Sequence, residues 1–181
     1  MPRGKAVRPT TDRIREAMFA RLGDLRGCRV LDLFAGSGAL GVEALSRGAE
    51  SVVFVEQSAP VLAVLRENLV DLGLDAECRT VRASARAALG RLAAGKAGFD
   101  LVFLDPPYAA GELEGALASL VEGGVLEPGA TVVAEAPRRH PPGEVVGLER
   151  ADERSYGETV IVRYISVPSG ADAPEGRKST Q

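Results

Sequence analysis

Four consecutive residues, Asp105-Pro106-Pro107-Tyr108, supply one carboxylate, backbone carbonyls without competing local N–H groups, and one aromatic ring. That set suits a flat, hydrogen-bonding substrate with an amino group, and a nucleobase fits the description. A second constellation is Gly36-Ser37-Gly38-Ala39-Leu40-Gly41, which fits G-x-G-x-x-G. Glycines at that spacing allow a tight turn and a close backbone approach to a ligand at a helix N-terminus. Glu56 follows Gly36 by 20 residues, where an acidic side chain can accept from ribose hydroxyls. Asp32 precedes Gly36 by four residues, and a carboxylate inside a strand is costly unless it is paired or used.

The elements around these residues follow from pattern. Residues 29–34, 51–56, 76–81, 99–104 and 130–135 read as strands, and two further strands over 144–150 and 157–166 read as a closing hairpin. Helices are expected from Thr10 or Thr11 to Leu22, and over 39–47, 58–72, 84–93 and 112–121. The alternation from residue 29 to 135 implies an α/β fold: a single Rossmann-like domain with a seven-stranded, mostly parallel, doubly wound sheet and a C-terminal antiparallel hairpin. Pro106 and Pro107 cannot continue a parallel strand, because neither can donate to the ladder. The chain must leave the sheet there, at its carboxyl edge, where open α/β sheets hold ligands. Residues 1–26 form a basic arm and helix, 27–166 the main domain, and 167–181 a tail with little to bury that is expected to be disordered.

Charge and composition narrow the chemistry. Pyrophosphate would be repelled by Asp32, whereas S-adenosylmethionine carries an ammonium, a sulfonium and a ribose but no phosphate. Asp32 with Glu56 therefore favours that cofactor over a nicotinamide dinucleotide. One histidine exists, His140, in a surface-type segment, which removes His-based triads and His-rich metal sites. Cys28 and Cys78 lack metal-type spacing and read as reduced core residues. With no apolar run of 18 residues and no signal peptide, the chain reads as cytoplasmic, with no membrane segment. The net charge of −3 argues against a uniformly basic nucleic-acid binder, yet residues 1–26 hold seven basic against three acidic residues. A basic arm on an acidic body is suited to phosphate contacts.

Residues 31–41 resemble the first motif of class I S-adenosylmethionine-dependent methyltransferases, and Asp105 to Tyr108 resembles the amino-methyltransferase signature [DN]-P-P-[YFW]. Arg8-Pro9-Thr10-Thr11-Asp12-Arg13-Ile14-Arg15-Glu16-Ala17-Met18-Phe19 resembles the opening of the bacterial 16S rRNA guanine-N2 methyltransferases, and Tyr156-Gly157-Glu158-Thr159 resembles their closing hairpin. These segments span residues 8 to about 165. The resemblance implies methyl transfer to the exocyclic N2 of a guanine in 16S rRNA, within the small ribosomal subunit or a late assembly particle, by a monomer needing no metal. It implies catalysis at Asp105, Pro106 and Tyr108. It implies cofactor contacts at Asp32, Phe34, Ala35, Gly36, Ser37, Gly38, Glu56, Gln57, Ser84 and Asp105. Substrate contacts are implied at Arg8, Thr10, Arg13, Arg15, Pro107, Tyr108 and Arg154. Asp105 Oδ and the Pro106 carbonyl would accept the two amine hydrogens while Tyr108 stacks on the base, a contact worth roughly 1–3 kcal/mol.

Two departures from the family pattern stand out. Seven residues, Met1 to Val7, precede the opening motif, where relatives carry a longer basic, glycine-rich segment. Ala83-Ser84-Ala85 stands where some relatives have an acidic residue, so adenine recognition would rest on backbone groups or Ser84. Rival readings are an amino-methyltransferase for DNA adenine N6 or protein glutamine, a non-catalytic S-adenosylmethionine-binding subunit, and a dehydrogenase.

Overall fold

Strands buried on both faces of a parallel sheet read as unbroken apolar runs. Val52 to Val55 and Leu101 to Leu104 are such runs, and they take the expected places. The computed structural model describes residues 9–107 and 111–167, with side chains from Arg13 onward. Its strands are β1 (Arg29–Asp32), β2 (Ser51–Glu56), β3 (Cys78–Arg82), β4 (Phe99–Leu104), β5 (Leu126–Pro137), β6 (Leu148–Tyr156) and β7 (Thr159–Ser166). The helices are α1 (Pro9–Phe19), α2 (Ala39–Ser46), α3 (Ala59–Asp71), α4 (Ala85–Ala94) and α5 (Glu112–Glu122), with a 3₁₀ turn at Asp75–Glu77. The sheet order is β3-β2-β1-β4-β5-β7-β6. β1 to β5 pair in parallel, and β7 runs antiparallel between β5 and β6. The doubly wound sheet with its closing hairpin is thus as the sequence implies.

Several boundaries differ, each for a local reason. The hairpin's first strand starts at Leu148 rather than 144 and continues to Tyr156. It is an edge strand with one buried side chain, Leu148, so it lacks the apolar alternation that marks a strand in sequence. β5 begins four residues before the expected Ala130, running through Pro128-Gly129 past a register irregularity opposite Phe99–Leu101. β3 begins at Cys78 because Asp75–Glu77 coil into the 3₁₀ turn. Helix α1 ends at Phe19, and the chain continues to Leu22 through the tighter bonds Arg21 N–H to Met18 O and Leu22 N–H to Phe19 O. β1 closes formally at Asp32, but Leu33 N–H still donates to Phe103 O and Ala35 N–H to Val55 O.

Two apolar layers hold the sheet. On one face, Leu31, Val102, Leu104 and Val132 pack under Leu89 and Leu92 of α4 and Leu113, Leu117 and Leu120 of α5. On the other, Val30, Phe54, Leu101 and Phe103 pack under Met18 and Phe19 of α1, Ala44 of α2, and Leu62, Leu65 and Leu69 of α3. The Phe19 and Phe103 rings lie 5.5 Å apart. Each such buried Leu or Phe contributes about 1.5–3 kcal/mol of transfer free energy. Cys28 and Cys78 are free thiols, both half-buried. Among the described residues no helix is long and apolar enough to cross a membrane.

The strand order reverses between β1 and β4, whose chains depart toward opposite edges. That switch point opens a crevice at the carboxyl ends of the two strands. The glycine loop leaves β1 there, and Asp105 leaves β4 there.

Candidate active site

The three glycines of the loop have separate reasons. Gly36 has φ +53°, and a Cβ there would meet nothing within 4 Å, so its backbone faces open space. A Cβ on Gly38 would fall 2.3 Å from Leu65 Cδ1, and one on Gly41 would fall 2.2 Å from the Phe54 ring. Gly38 and Gly41 therefore let α2 and its leading turn sit directly on β2 and α3.

Helix α2 starts at Ala39, and the glycine before it, Gly38, offers no side-chain cap. Its early N–H groups still need acceptors. Asp32 of β1 meets that need, accepting from Gly41 N–H at 3.1 Å. The Asp32 side chain is buried, and burial pushes its carboxyl up to about 7, with the Asp105 and Glu56 charges adding and the Gly41 bond opposing. Asp32 thus holds the loop from the β1 side and is not among the residues that line the cavity bordered by Gly36 and Glu56.

Glu56, at the end of β2, takes the expected place. It accepts from Gly36 N–H at 3.1 Å and from Ser58 N–H at 2.7 Å, which fixes the carboxylate across the mouth of the loop. It lines a cavity of about 540 Å³ with Phe34, Gly36, Gln57, Ser84 and Asp105. Leu33, Val55, Val61, Ala83 and Ala116 add apolar walls. That volume is within the range of small-molecule sites. Ser84 caps α4, its Oγ accepting from Ala87 N–H at 3.4 Å, so its own O–H is left to donate. Ala35 is buried with its N–H bonded to Val55 O, Gly38 is buried, and the exposed Ser37 offers its carbonyl to Asn68 at 3.4 Å. None of these three lines the cavity.

Asp105 opens on the cavity from the end of β4, and burial raises its carboxyl. Pro106 is buried beneath it and Pro107 is exposed. Tyr108 and Arg8 lie outside the described residues, and Thr10 falls in the part of α1 described by its backbone alone. Pro107 and Gly111 also border a second cavity of about 390 Å³, shared with Pro106, Leu113, Glu135 and Arg139. Glu135 was not singled out from sequence. It lies near the carboxyl end of β5, in parallel register beside β4, since Leu104 pairs with Ala134. Burial and the neighbouring Asp105 charge push it up to about 7. The available signal was an acidic residue at the carboxyl end of a strand.

The basic candidates lie elsewhere. Arg13 is exposed and Arg15 half-buried on α1, and neither lines the two cavities. Arg154 of β6 stands 3.5 Å from Asp152, which also binds Arg21 just beyond α1 at 2.5 Å. The opening helix and the closing hairpin are thus joined to each other rather than to the crevice. What reaches the second cavity from the basic side is Arg139, with His140 beside it. Their loop is held by Arg138 N–H to Glu158 O at 2.8 Å and by Tyr164 O–H to Gly143 O at 3.0 Å. Among the described residues no cluster of three or more His, Cys, Asp or Glu side chains could hold a metal ion.

Comparison with known proteins agrees with this geometry. The family described as conserved hypothetical protein 95 matches residues 1–165. YlbH of Bacillus subtilis is 39% identical over 163 residues, 89% of each chain. Ribosomal RNA small subunit methyltransferase D of Haemophilus influenzae is 36% identical over 138 residues, covering 76% of this chain and 72% of that one. A conserved hypothetical protein of Streptococcus pyogenes superposes with a TM-score of 0.77 at 34% identity, covering 84% of this chain and 94% of that one. SMU.776, solved in complex with SAH, superposes at 0.71 over 86% of this chain and 49% of that one, and at 15% identity the likeness is one of fold. A seven-stranded doubly wound sheet with a loop-bound crevice, matched over nearly its whole described length, makes this chain a member of the conserved hypothetical protein 95 family, together with the small subunit rRNA methyltransferases D.

Proposed function

We propose that the protein is an S-adenosylmethionine-dependent rRNA methyltransferase, and that its target is the exocyclic N2 of a guanine in 16S rRNA. The observation that carries the reading is that the glycine loop, Glu56 and Asp105 border one cavity at the switch point of the sheet. The donor set fits a cationic, phosphate-free cofactor. Glu56 and Asp105 face the cavity, Asp32 lies behind it, and Arg86 is the one basic side chain among its described lining residues. The relatives named for small subunit rRNA methylation support the substrate class.

Gly36, Glu56, Gln57 and Ser84 are the residues that would hold the cofactor, Glu56 through ribose hydroxyls. The bound cofactor supplies a methyl group on a sulfonium centre. The chain's own task is to align the acceptor. An aryl amine's lone pair is delocalised into its ring, so acceptors at both hydrogens help the nitrogen pyramidalise. Asp105 Oδ and the Pro106 carbonyl serve as those acceptors. The raised carboxyl of Asp105 is suited to take the proton that the nitrogen loses after transfer. Holding nitrogen and methyl in line contributes about 7–11 kcal/mol in well-oriented systems. The base must be in a loop or flipped out to enter. Arg8, Thr10, Arg13, Arg15 and Arg154 are proposed phosphate and sugar contacts, with Tyr108 stacking on the base.

The test is to incubate the protein with labelled S-adenosylmethionine and small subunits lacking the modification, then map the label. Label on a guanine N2 supports the reading. Label on adenine, or on protein, overturns it.

A further inference from the structure

The second cavity holds a carboxylate that the transfer chemistry does not use. Glu135 lies at the carboxyl end of β5, one step past the pair Leu104–Ala134, so it stands beside Asp105 on the neighbouring strand. Adjacent strands run about 4.8 Å apart. β5 pairs with β4 on one side and β7 on the other, where Glu135 itself pairs with Ile161, so the backbone beneath this carboxylate is held from both edges. Among the described residues no donor meets the carboxylate: neither a hydrogen bond nor an ion pair reaches it. It faces the cavity together with Pro106, Pro107, Leu113, Arg139 and His140. Glu114 also borders this cavity, but it is exposed on the first turn of α5 rather than fixed in a ladder. Glu135 is half-buried in the cavity wall, and a positioned carboxylate that no protein donor meets is available to accept from a ligand there.

We infer that Glu135 is the residue that selects guanine, by accepting the ring N1–H beside the amine held by Asp105 and Pro106. The inference rests on the proposed function and deepens it. In guanine the ring position next to the 2-amine is a donor, N1–H. In adenine and cytosine the ring nitrogen next to the amine is an acceptor. A second carboxylate beside the amine clamp therefore completes a guanine edge and opposes a lone pair on the other two bases. Reading a flipped base along that edge is how such enzymes distinguish their targets. The same geometry explains why two acidic residues sit on adjacent strands, one at each of two cavities that meet at Pro107 and Gly111, despite their mutual repulsion.

The experiment replaces the mapped guanine by 2-aminopurine, which keeps the 2-amine and lacks N1–H. Wild-type protein is expected to prefer guanine by at least about 10²-fold in kcat/KM, as sites built around a substrate donor reject analogues lacking it. In Glu135→Gln, whose amide can turn its N–H toward the unprotonated ring nitrogen, the preference falls to within about 10-fold. Glu135→Ala loses it as well, and the ratio of ratios isolates the pair. Unchanged S-adenosylmethionine binding by each variant establishes that the cofactor half is intact, and the near-isosteric Gln covers the case in which Ala fails to fold. If wild-type protein labels guanine N2 and both variants discriminate as it does, the assignment of Glu135 is overturned while the proposed function stands. If the wild type labels adenine or cytosine, both fall.

Discussion

The proposed function sets Asp105 against the acceptor amine, so its removal should separate chemistry from binding. Asp105→Ala is expected to lower the single-turnover transfer rate by about 10²–10³-fold, as loss of one preorganised polar group does. Binding of S-adenosylmethionine, which the proposed function assigns mainly to the glycine loop and Glu56, should largely persist, and calorimetric titration beside rapid-quench transfer reads both. Asp32 shows what spacing cannot convey. Its position four residues before a glycine loop is plain in the sequence, whereas its bond to Gly41 N–H comes from the packing of α2 over β1. Glu56 was legible because a strand's last residue, 20 positions after Gly36, has little choice but to face the crevice. Glu135 was not, since no short motif surrounds it and its meaning comes from the strand beside it.

The helices and strands set how much the loop can tolerate. Gly41→Ala would drive a methyl group into Phe54 and Val52, atoms 2.2 to 2.9 Å from the ideal Cβ. The cost expected for such overpacking is about 1–3 kcal/mol, with weaker cofactor binding because the same peptide carries the N–H that Asp32 holds. Gly90→Ala is the matched control: it lies in α4, with nothing within 4 Å of its Cβ, and should gain up to about 1 kcal/mol. Chemical denaturation of the two variants separates contact from helix propensity. At this scale the sequence was most readable where burial was greatest. β2 and β4 match residue for residue, because a strand covered on both faces carries an unbroken apolar run. β6 was misplaced because an exposed edge, Glu149 to Ser155, carries mainly polar and charged side chains whatever its conformation.

Across the molecule, acidic residues gather on one edge of the sheet: Asp32, Glu56, Asp105 and Glu135 all lie at or near the carboxyl ends of strands. This has a consequence for stability. Asp32 and Glu135 titrate at about 7 in the fold, against ordinary values of 3.8 and 4.5. The folded state therefore keeps protons that the unfolded chain releases, and stability from these groups is complete below about pH 4 and declines as pH rises toward 7. Thermal melts of the ligand-free protein over that range should show the decline, and Asp32→Asn should flatten it. The placement of β7 has a consequence in time. Every described residue lining the larger cavity has been synthesised by Ser119. The loop bordering the second cavity waits for Glu158 and Tyr164 to anchor it. A ribosome making this chain thus supplies the lining of the first cavity about 45 residues before Tyr164, the last anchor of the second, and at roughly 5–20 residues per second that interval is several seconds.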